Sequence, residues 1–205
     1  MQNKDHWEHV YQTKTAETVS WFQEHARLSL ELIKSINPSH DSSIIDVGGG
    51  ASTLVDDLLA EVFENLCVLD LSAHALAVAR QRLGEKGNRV DWIEGDICSV
   101  ALPAQAFDIW HDRAVFHFLT DPADRQAYVE QVMRSVKPGG HVIVATFGPD
   151  GPDKCSGLPV QRYSPEGLHG EFGSAFQLLE HASEAHRTPM GHVQHFIYCH
   201  CLKPH

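Results

Sequence analysis

Ser43-Ile44-Ile45-Asp46-Val47-Gly48-Gly49-Gly50-Ala51-Ser52 joins a short apolar run to three successive glycines and then to a helical pattern. The run from Ser43 to Val47 reads as a parallel strand covered on both faces. The glycines remove side-chain bulk at the strand's carboxyl end. A ligand can therefore lie against the backbone there, near the positive end of a helix expected over 52 to 61. A glycine-rich turn by itself is compatible with a dinucleotide, a nucleoside or no ligand at all. Its weight comes from the residues downstream of it.

From that strand the rhythm repeats. Apolar, β-rich runs at 65–71, 89–95, 107–112 and 140–147 alternate with helical stretches at 73–83 and 123–136, the pattern of a parallel sheet with helices on both faces. Ser72 is placed to cap the helix at 73–83, which stops near Gly84. Asp121-Pro122 opens the next helix, and Lys137-Pro138-Gly139-Gly140 ends it. A Gly/Pro-rich loop comes next at 148–159, then a short helix near 164–172. Two β-like runs at 176–188 and 192–202 with a tight connection point to an antiparallel pair at the sheet edge. Upstream, 24–37 is amphipathic, with Leu28, Leu32 and Ile36 on one face. The segment before it carries Trp7, Tyr11, Trp21 and Phe22, too many large rings for a plain tail.

Composition narrows the function classes. A chain of 205 residues with 42% hydrophobic and 21% charged residues fits one globular α/β domain. The net charge of −11 works against nucleic-acid binding, which needs clustered Lys and Arg to displace counterions from phosphates. No stretch of roughly 18 apolar residues is present, and the first residues lack a signal-peptide core. Membrane association is not expected, and a cytoplasmic location is. The cysteines, Cys67, Cys98, Cys155, Cys199 and Cys201, form no CxxC pair and read as free thiols.

The chemistry is carried by acids at successive strand ends. Asp70 ends the second strand about 20 residues after the glycine turn, where a carboxylate accepts hydrogen bonds from both hydroxyls of a ribose. Asp96 comes after the third strand in Glu94-Gly95-Asp96-Ile97, where a carboxylate accepts from an adenine amino group. Together the three strand ends describe an adenosine. A nicotinamide dinucleotide fits less well: the third glycine of its fingerprint would fall at Thr53 or Leu54, and a second mononucleotide-binding half is missing.

IIDVGGGAS, VLDLS, EGDI, FDIWHDRAVFHFL and the VKPGG turn together resemble the class I S-adenosylmethionine-dependent methyltransferases, over nearly the whole chain. The resemblance implies an α/β, three-layer Rossmann-like sandwich around a mostly parallel seven-stranded sheet, with an antiparallel strand near the C-terminus. It implies one domain over 1–205, with an N-terminal lid segment and helix at 1–37, a cofactor-binding core at 43–147, and a substrate loop and final strand pair at 148–205. The implied cofactor is S-adenosylmethionine, leaving as S-adenosylhomocysteine. Its methionine part falls to Gly48 and Gly50 with Asp46 supporting the turn, its ribose to Asp70 beside Leu71, and its adenine to Asp96 and Ile97. Gly49 departs from the pattern, because Cys or Ser is frequent there in the family. Trp7, Tyr11 and Val19-Ser20-Trp21-Phe22 resemble a subgroup containing small bacterial enzymes and eukaryotic protein-lysine methyltransferases, in which this segment folds over the cofactor. Tyr11 and Trp21 are the expected cofactor neighbours, ahead of Trp7.

Acceptor groups are expected after the fourth strand. His111, Asp112 and His117 are the candidate catalytic residues, able to take a proton from an oxygen, nitrogen or sulfur nucleophile, and Arg113 can hold an acidic substrate group. Cys155 and Tyr163, after the fifth strand, complete the expected substrate side. No Asn/Asp-Pro-Pro-Tyr/Phe stands at the fourth strand end, which argues against methylation of amides or exocyclic base amines. His195, Cys199 and Cys201 share one face of a strand and His200 the other, a spacing unlike a Cys/His zinc pattern, so no metal is expected. The expected reaction is methyl transfer to an O, N or S atom of a small molecule. A protein-lysine methyltransferase and a noncatalytic cofactor-binding module are the alternatives. Oligomeric state is not legible.

Overall fold

Strand β1 (Ser43–Val47) lies in the interior of a seven-stranded sheet, between β2 (Asn65–Asp70) and β4 (Phe107–Arg113). The computed structural model describes residues 4–205. Beyond β2 lies β3 (Val90–Glu94), and beyond β4 lie β5 (Val136–Phe147) and two late strands. The neighbours among β1 to β5 pair in parallel. The loop after β5 forms a two-residue ladder of its own, β6 (Lys154–Cys155) with β7 (Leu158–Pro159). The last pair is β8 (Gln177–Arg187) and β9 (Val193–Leu202). β9 inserts antiparallel between β5 and β8, leaving β8 as the edge.

Helices α2 (Arg27–Ser35), α3 (Leu54–Ala60) and α4 (Ala73–Leu83) cover one face of the sheet, while α5 (Pro122–Ser135) and α6 (Pro165–Phe172) cover the other. The caps obey local chemistry. Ser72 Oγ accepts from Ala75 N at 3.1 Å to start α4, and Asp121 accepts from Ala123 N at 2.9 Å ahead of Pro122 in α5. α3 begins at Leu54, two residues later than expected, because Ala51 to Thr53 are still turning out of the glycines. The Lys137-Pro138-Gly139-Gly140 stretch, expected as a stop before the fifth strand, lies within β5 as an irregular first part, where pairing with β4 shifts register between Phe107 and Ile109.

The aromatic segment near the start is a helix, α1 (Lys4–Thr13), which puts Trp7 and Tyr11 four residues apart on one buried face. It packs on α4, with Glu8 accepting from the backbone N of Ala73 at 2.7 Å and Lys4 paired to Glu94. Among the described residues no helix is long and apolar enough to cross a membrane.

Candidate functional site

All four parallel strand ends that carry the quoted motifs open on the same edge of the sheet. Gly48 N and Gly49 N both donate to Leu69 O, at 2.7 and 3.2 Å, and this ties the glycine turn to the end of β2. The backbone therefore passes directly under Asp70. A Cβ on Gly50 would stand 2.4 Å from Asp70 Oδ2, and one on Gly49 would stand 2.5 Å from Asp46 Oδ2. Gly48 has φ +69, and a Cβ there would meet Val115 at 1.9 Å. Each glycine is thus forced by a neighbour, and Gly49 is glycine because Asp46 and Val68 leave no room for the side chain more usual at that place.

Two adjoining cavities lie against this turn, of about 590 and about 540 Å³, sharing Tyr11, Trp21, Gly48 and Arg113 in their walls. The first is lined by Asp70, Leu71, Ile97, Phe118 and Cys155 among others. Asp70 is buried and accepts from Ser72 N at 2.8 Å through Oδ1. Burial pushes its carboxyl up to about 7. Ile97 and Gly95 form the wall after β3, while Asp96 is turned into its own loop, accepting from Cys98 N at 3.0 Å.

The second cavity is more polar. Asp46, His111 and Ser29 form a buried chain there, with His111 Nδ1 2.7 Å from Asp46 Oδ1 and Nε2 2.8 Å from Ser29 Oγ. The other Asp46 oxygen, Oδ2, is buried and has no protein hydrogen-bond partner. At the boundary of the two cavities Arg113 donates to Glu184 at 2.9 Å and to Tyr198 Oη at 3.0 Å, and its guanidinium lies 4.1 Å from the Phe196 ring centroid.

The run His111-Asp112-Arg113 does not converge on one site. Successive residues of β4 point to opposite faces, so His111 and Arg113 meet the cavities while Asp112 faces α5. Asp112 is fully buried and accepts from Tyr128 Oη at 2.6 Å, Val115 N at 2.9 Å and Phe116 N at 3.1 Å. Burial pushes its carboxyl up to about 6, against these bonds. His117 is likewise fully buried, its ring against Phe118 and Phe147 at 4.6 and 4.7 Å, and burial brings it down to about 3. Tyr163 packs on Phe116 and donates to Glu171 at 3.2 Å, on the far side of the sheet. The expectation that Asp112, His117 and Tyr163 face the acceptor is corrected accordingly: none of them lines either cavity.

Rings of the N-terminal segment line the cavities. Trp21 meets Trp7 and Tyr11 edge-on at 5.7 and 6.2 Å, and Trp7 meets Phe118 at 5.0 Å. Strands from the other end of the chain hold this segment down. His186 Nε2 lies 2.8 Å from Ser20 O, Gln23 donates to Glu184 at 2.6 Å, and Arg113 donates to Trp21 O at 3.3 Å. Trp7 lines the cavity beside Tyr11 and Trp21. Ser29 and Glu184 are not legible in the sequence, because no motif spacing links them to the glycine turn, while Val115 and Phe118 lie within the FDIWHDRAVFHFL stretch without a polar group to single them out. Among the described residues no group of three or more His, Cys, Asp or Glu is arranged to hold a metal.

Comparison with known proteins places this geometry in context. The methyltransferase-domain family matches residues 44–140. The ubiquinone biosynthesis O-methyltransferase of Ralstonia nicotianae is 34% identical over 123 residues, 58% of this chain and 49% of that protein. EEF1A lysine methyltransferase 2 of Danio rerio is 24% identical over 157 residues, 70% of this chain and 67% of that protein. The chain spans about half the length of several curated relatives it matches. The structure of the N-methyltransferase NodS from Bradyrhizobium japonicum, in complex with S-adenosyl-L-homocysteine, superposes with a TM-score of 0.73 at 16% identity, covering 100% of both chains.

Proposed function

We propose that this chain, whose residues 44–140 match the methyltransferase-domain family, is a class I S-adenosylmethionine-dependent methyltransferase that transfers the methyl group of that cofactor to an O, N or S atom of a small molecule. The observation that carries this reading is the pair of adjoining cavities at the strand ends, with a carboxylate and a bare glycine turn at one side and an aromatic cover above. The residues fit the cofactor. Gly50 leaves a cradle that a Cβ would fill, and Asp46 keeps a buried oxygen unpartnered beside it.

In this assignment Asp70 accepts the two ribose hydroxyls, and Leu71, Gly95 and Ile97 hold the adenine. Asp96, expected at the adenine, lines neither cavity and instead shapes the loop beside Ile97 by accepting from Cys98 N. Gly48 and Gly50 lie along the methionine part, and Asp46 receives its ammonium. Tyr11 and Trp21 shut out water, while Arg113 and Cys155 bound the acceptor space. The cofactor supplies a methyl on a cationic sulfonium. The protein's contribution is to align the nucleophile in line with that methyl and to exclude solvent, which can account for much of the acceleration. His111 fixes the Asp46 carboxylate from behind, as a positioning residue, and Asp112 and His117 stabilise the loop after β4. A cytoplasmic location goes with this reading.

Asp70 gives it a pH signature. Ribose hydroxyls donate to the carboxylate, so protonation removes an acceptor. With the carboxyl at about 7 in the free protein, cofactor affinity is expected to fall as pH drops from 8 to 5, by up to about tenfold per unit below the midpoint. For folding the sign is opposite. A carboxyl held above its unfolded value of about 3.9 favours the native state when protonated, a contribution lost as pH rises from about 4 to 7. Calorimetric titration across this range, repeated on Asp70→Asn, checks the effect. An equal pH slope in the variant would move it to another group.

The function itself is tested by incubating the protein with methyl-labelled S-adenosylmethionine and a cell extract, then counting label in soluble metabolites and in precipitated protein. Label in metabolites is expected. Label confined to protein would favour a second reading, a protein-lysine methyltransferase, which the similarity to the Danio rerio protein and the net charge of −11 support.

A further inference from the structure

Resting on the methyl-transfer reading, we propose that the acceptor is a thiol on a flat, apolar molecule, received as its thiolate beside Arg113. The walls of the first cavity include Trp7, Val115, Phe118, Cys155 and the Arg113 side chain. Among the described residues lining this cavity the one carboxylate is Asp70, and no imidazole is present. Asp70 is the carboxylate assigned to the ribose, and it already accepts from Ser72 N.

No other wall group can take up a proton near neutral pH. Burial raises the Tyr11 hydroxyl and pushes the Cys155 thiol up to about 12, so both stay protonated. In the neighbouring cavity His111 has both ring nitrogens engaged, with Asp46 and Ser29. Asp112 and His117, the bases expected from the sequence, are out of reach. A nucleophile entering this space must therefore have shed its proton already, and the Arg113 charge favours one that is then an anion.

That requirement sorts the candidates. An amine is a cation at neutral pH. Losing its proton to solvent before entry leaves it neutral, with no charge for the Arg113 guanidinium to hold, and entering as the cation sets it against that guanidinium. Phenols ionise at about 10, like the tyrosine hydroxyl, and simple alcohols higher. Carboxylates are ionised, but they are strongly hydrated and costly to strip of water among aromatic rings. Thiols ionise nearest neutrality, at about 8.5 for cysteine, and the thiolate is strongly nucleophilic. Arg113 is braced for an anion: Glu184 and Tyr198 hold it from behind and Phe196 supports its face, so its charge needs no rearrangement on binding. Glu184 neutralises part of that charge but lines neither cavity.

The step balances without a further reagent. The thiol proton goes to solvent before entry. The thiolate sulfur lone pair forms the new bond to the methyl carbon, and the bond from that carbon to the sulfonium breaks, its electron pair staying with the cofactor sulfur. The products are a methyl thioether and S-adenosylhomocysteine.

The experiment supplies the purified protein with methyl-labelled S-adenosylmethionine and thiophenol, phenol, benzylamine, benzoate or a lysine-containing peptide, with cofactor binding measured separately by calorimetry. Thiophenol is expected to be labelled at least 100-fold faster than the other four. The pH midpoint of kcat/KM is expected to move with the acceptor's own acidity when 4-nitrothiophenol is compared with benzyl mercaptan. Arg113→Gln should raise KM for thiophenol at least tenfold with cofactor affinity kept. If that variant does not fold, the wild-type panel and pH midpoints decide. Preferential labelling of a non-thiol, no label on any thiol while the cofactor binds, or one pH midpoint for both thiols would each overturn the proposal. Failure to bind the cofactor at all would instead overturn the methyl-transfer reading beneath it.

Discussion

Asp112→Ala is expected to lower the melting temperature by roughly 10 °C, at a cost of about 3–5 kcal/mol, with turnover lost through unfolding rather than through chemistry. The carboxylate is fully buried and receives three donors, Tyr128 Oη, Val115 N and Phe116 N, which knot the loop after β4 to α5. Tyr128 in turn accepts from Trp110 Nε1 at 2.9 Å. Removing the carboxylate leaves all three donors without this acceptor in a site closed to solvent. Tyr128→Phe removes one donor and should move stability in the same direction by about 1–3 kcal/mol. A melting temperature unchanged in Asp112→Ala, together with lost turnover, would return Asp112 to the reacting site as a base.

Gly50→Ala is expected to weaken S-adenosylmethionine binding roughly 100-fold or more. The added Cβ would stand 2.4 Å from Asp70 Oδ2 and 2.9 Å from the Ala75 Cβ, so the carboxylate must move away from the position assigned to the ribose. Two hydrogen bonds to a charged acceptor, each worth about 1.5–3 kcal/mol, depend on that position. Asp70→Ala should reproduce the loss. Calorimetry checks both, with the melting temperature of the cofactor-free protein as control. An affinity in Gly50→Ala within threefold of the parent would place the ribose elsewhere.

How legible the site was depended on distance along the chain. The glycine turn and Asp70 are separated by a strand and a helix whose lengths vary little, so spacing alone brought them together. Ile97 was placed by the same logic, though Asp96 beside it is bent into its own loop by Cys98 N. The run His111 to Arg113 misled because three adjacent polar residues on a strand cannot face one site: a period of two sends the middle one to the other side. The length of α1 was hidden by the polar residues interleaved with Trp7 and Tyr11, although their four-residue spacing carried the signal.

The sequence by itself determined the alternation of strands and helices, the turn against which the two cavities open, and the glycines and acid that line them. All of these come from local periodicity and from steric limits on the backbone. Only the tertiary structure decided which polar side chains meet the cavity. Arg113 is held by Glu184 and Tyr198, and Ser20 and Gln23 are held by His186 and Glu184, across separations of more than 70 residues. Such pairings depend on β9 folding back beside β5. No spacing rule encodes that step, because its stabilisation comes from burying strand faces that any apolar sequence of similar length could cover.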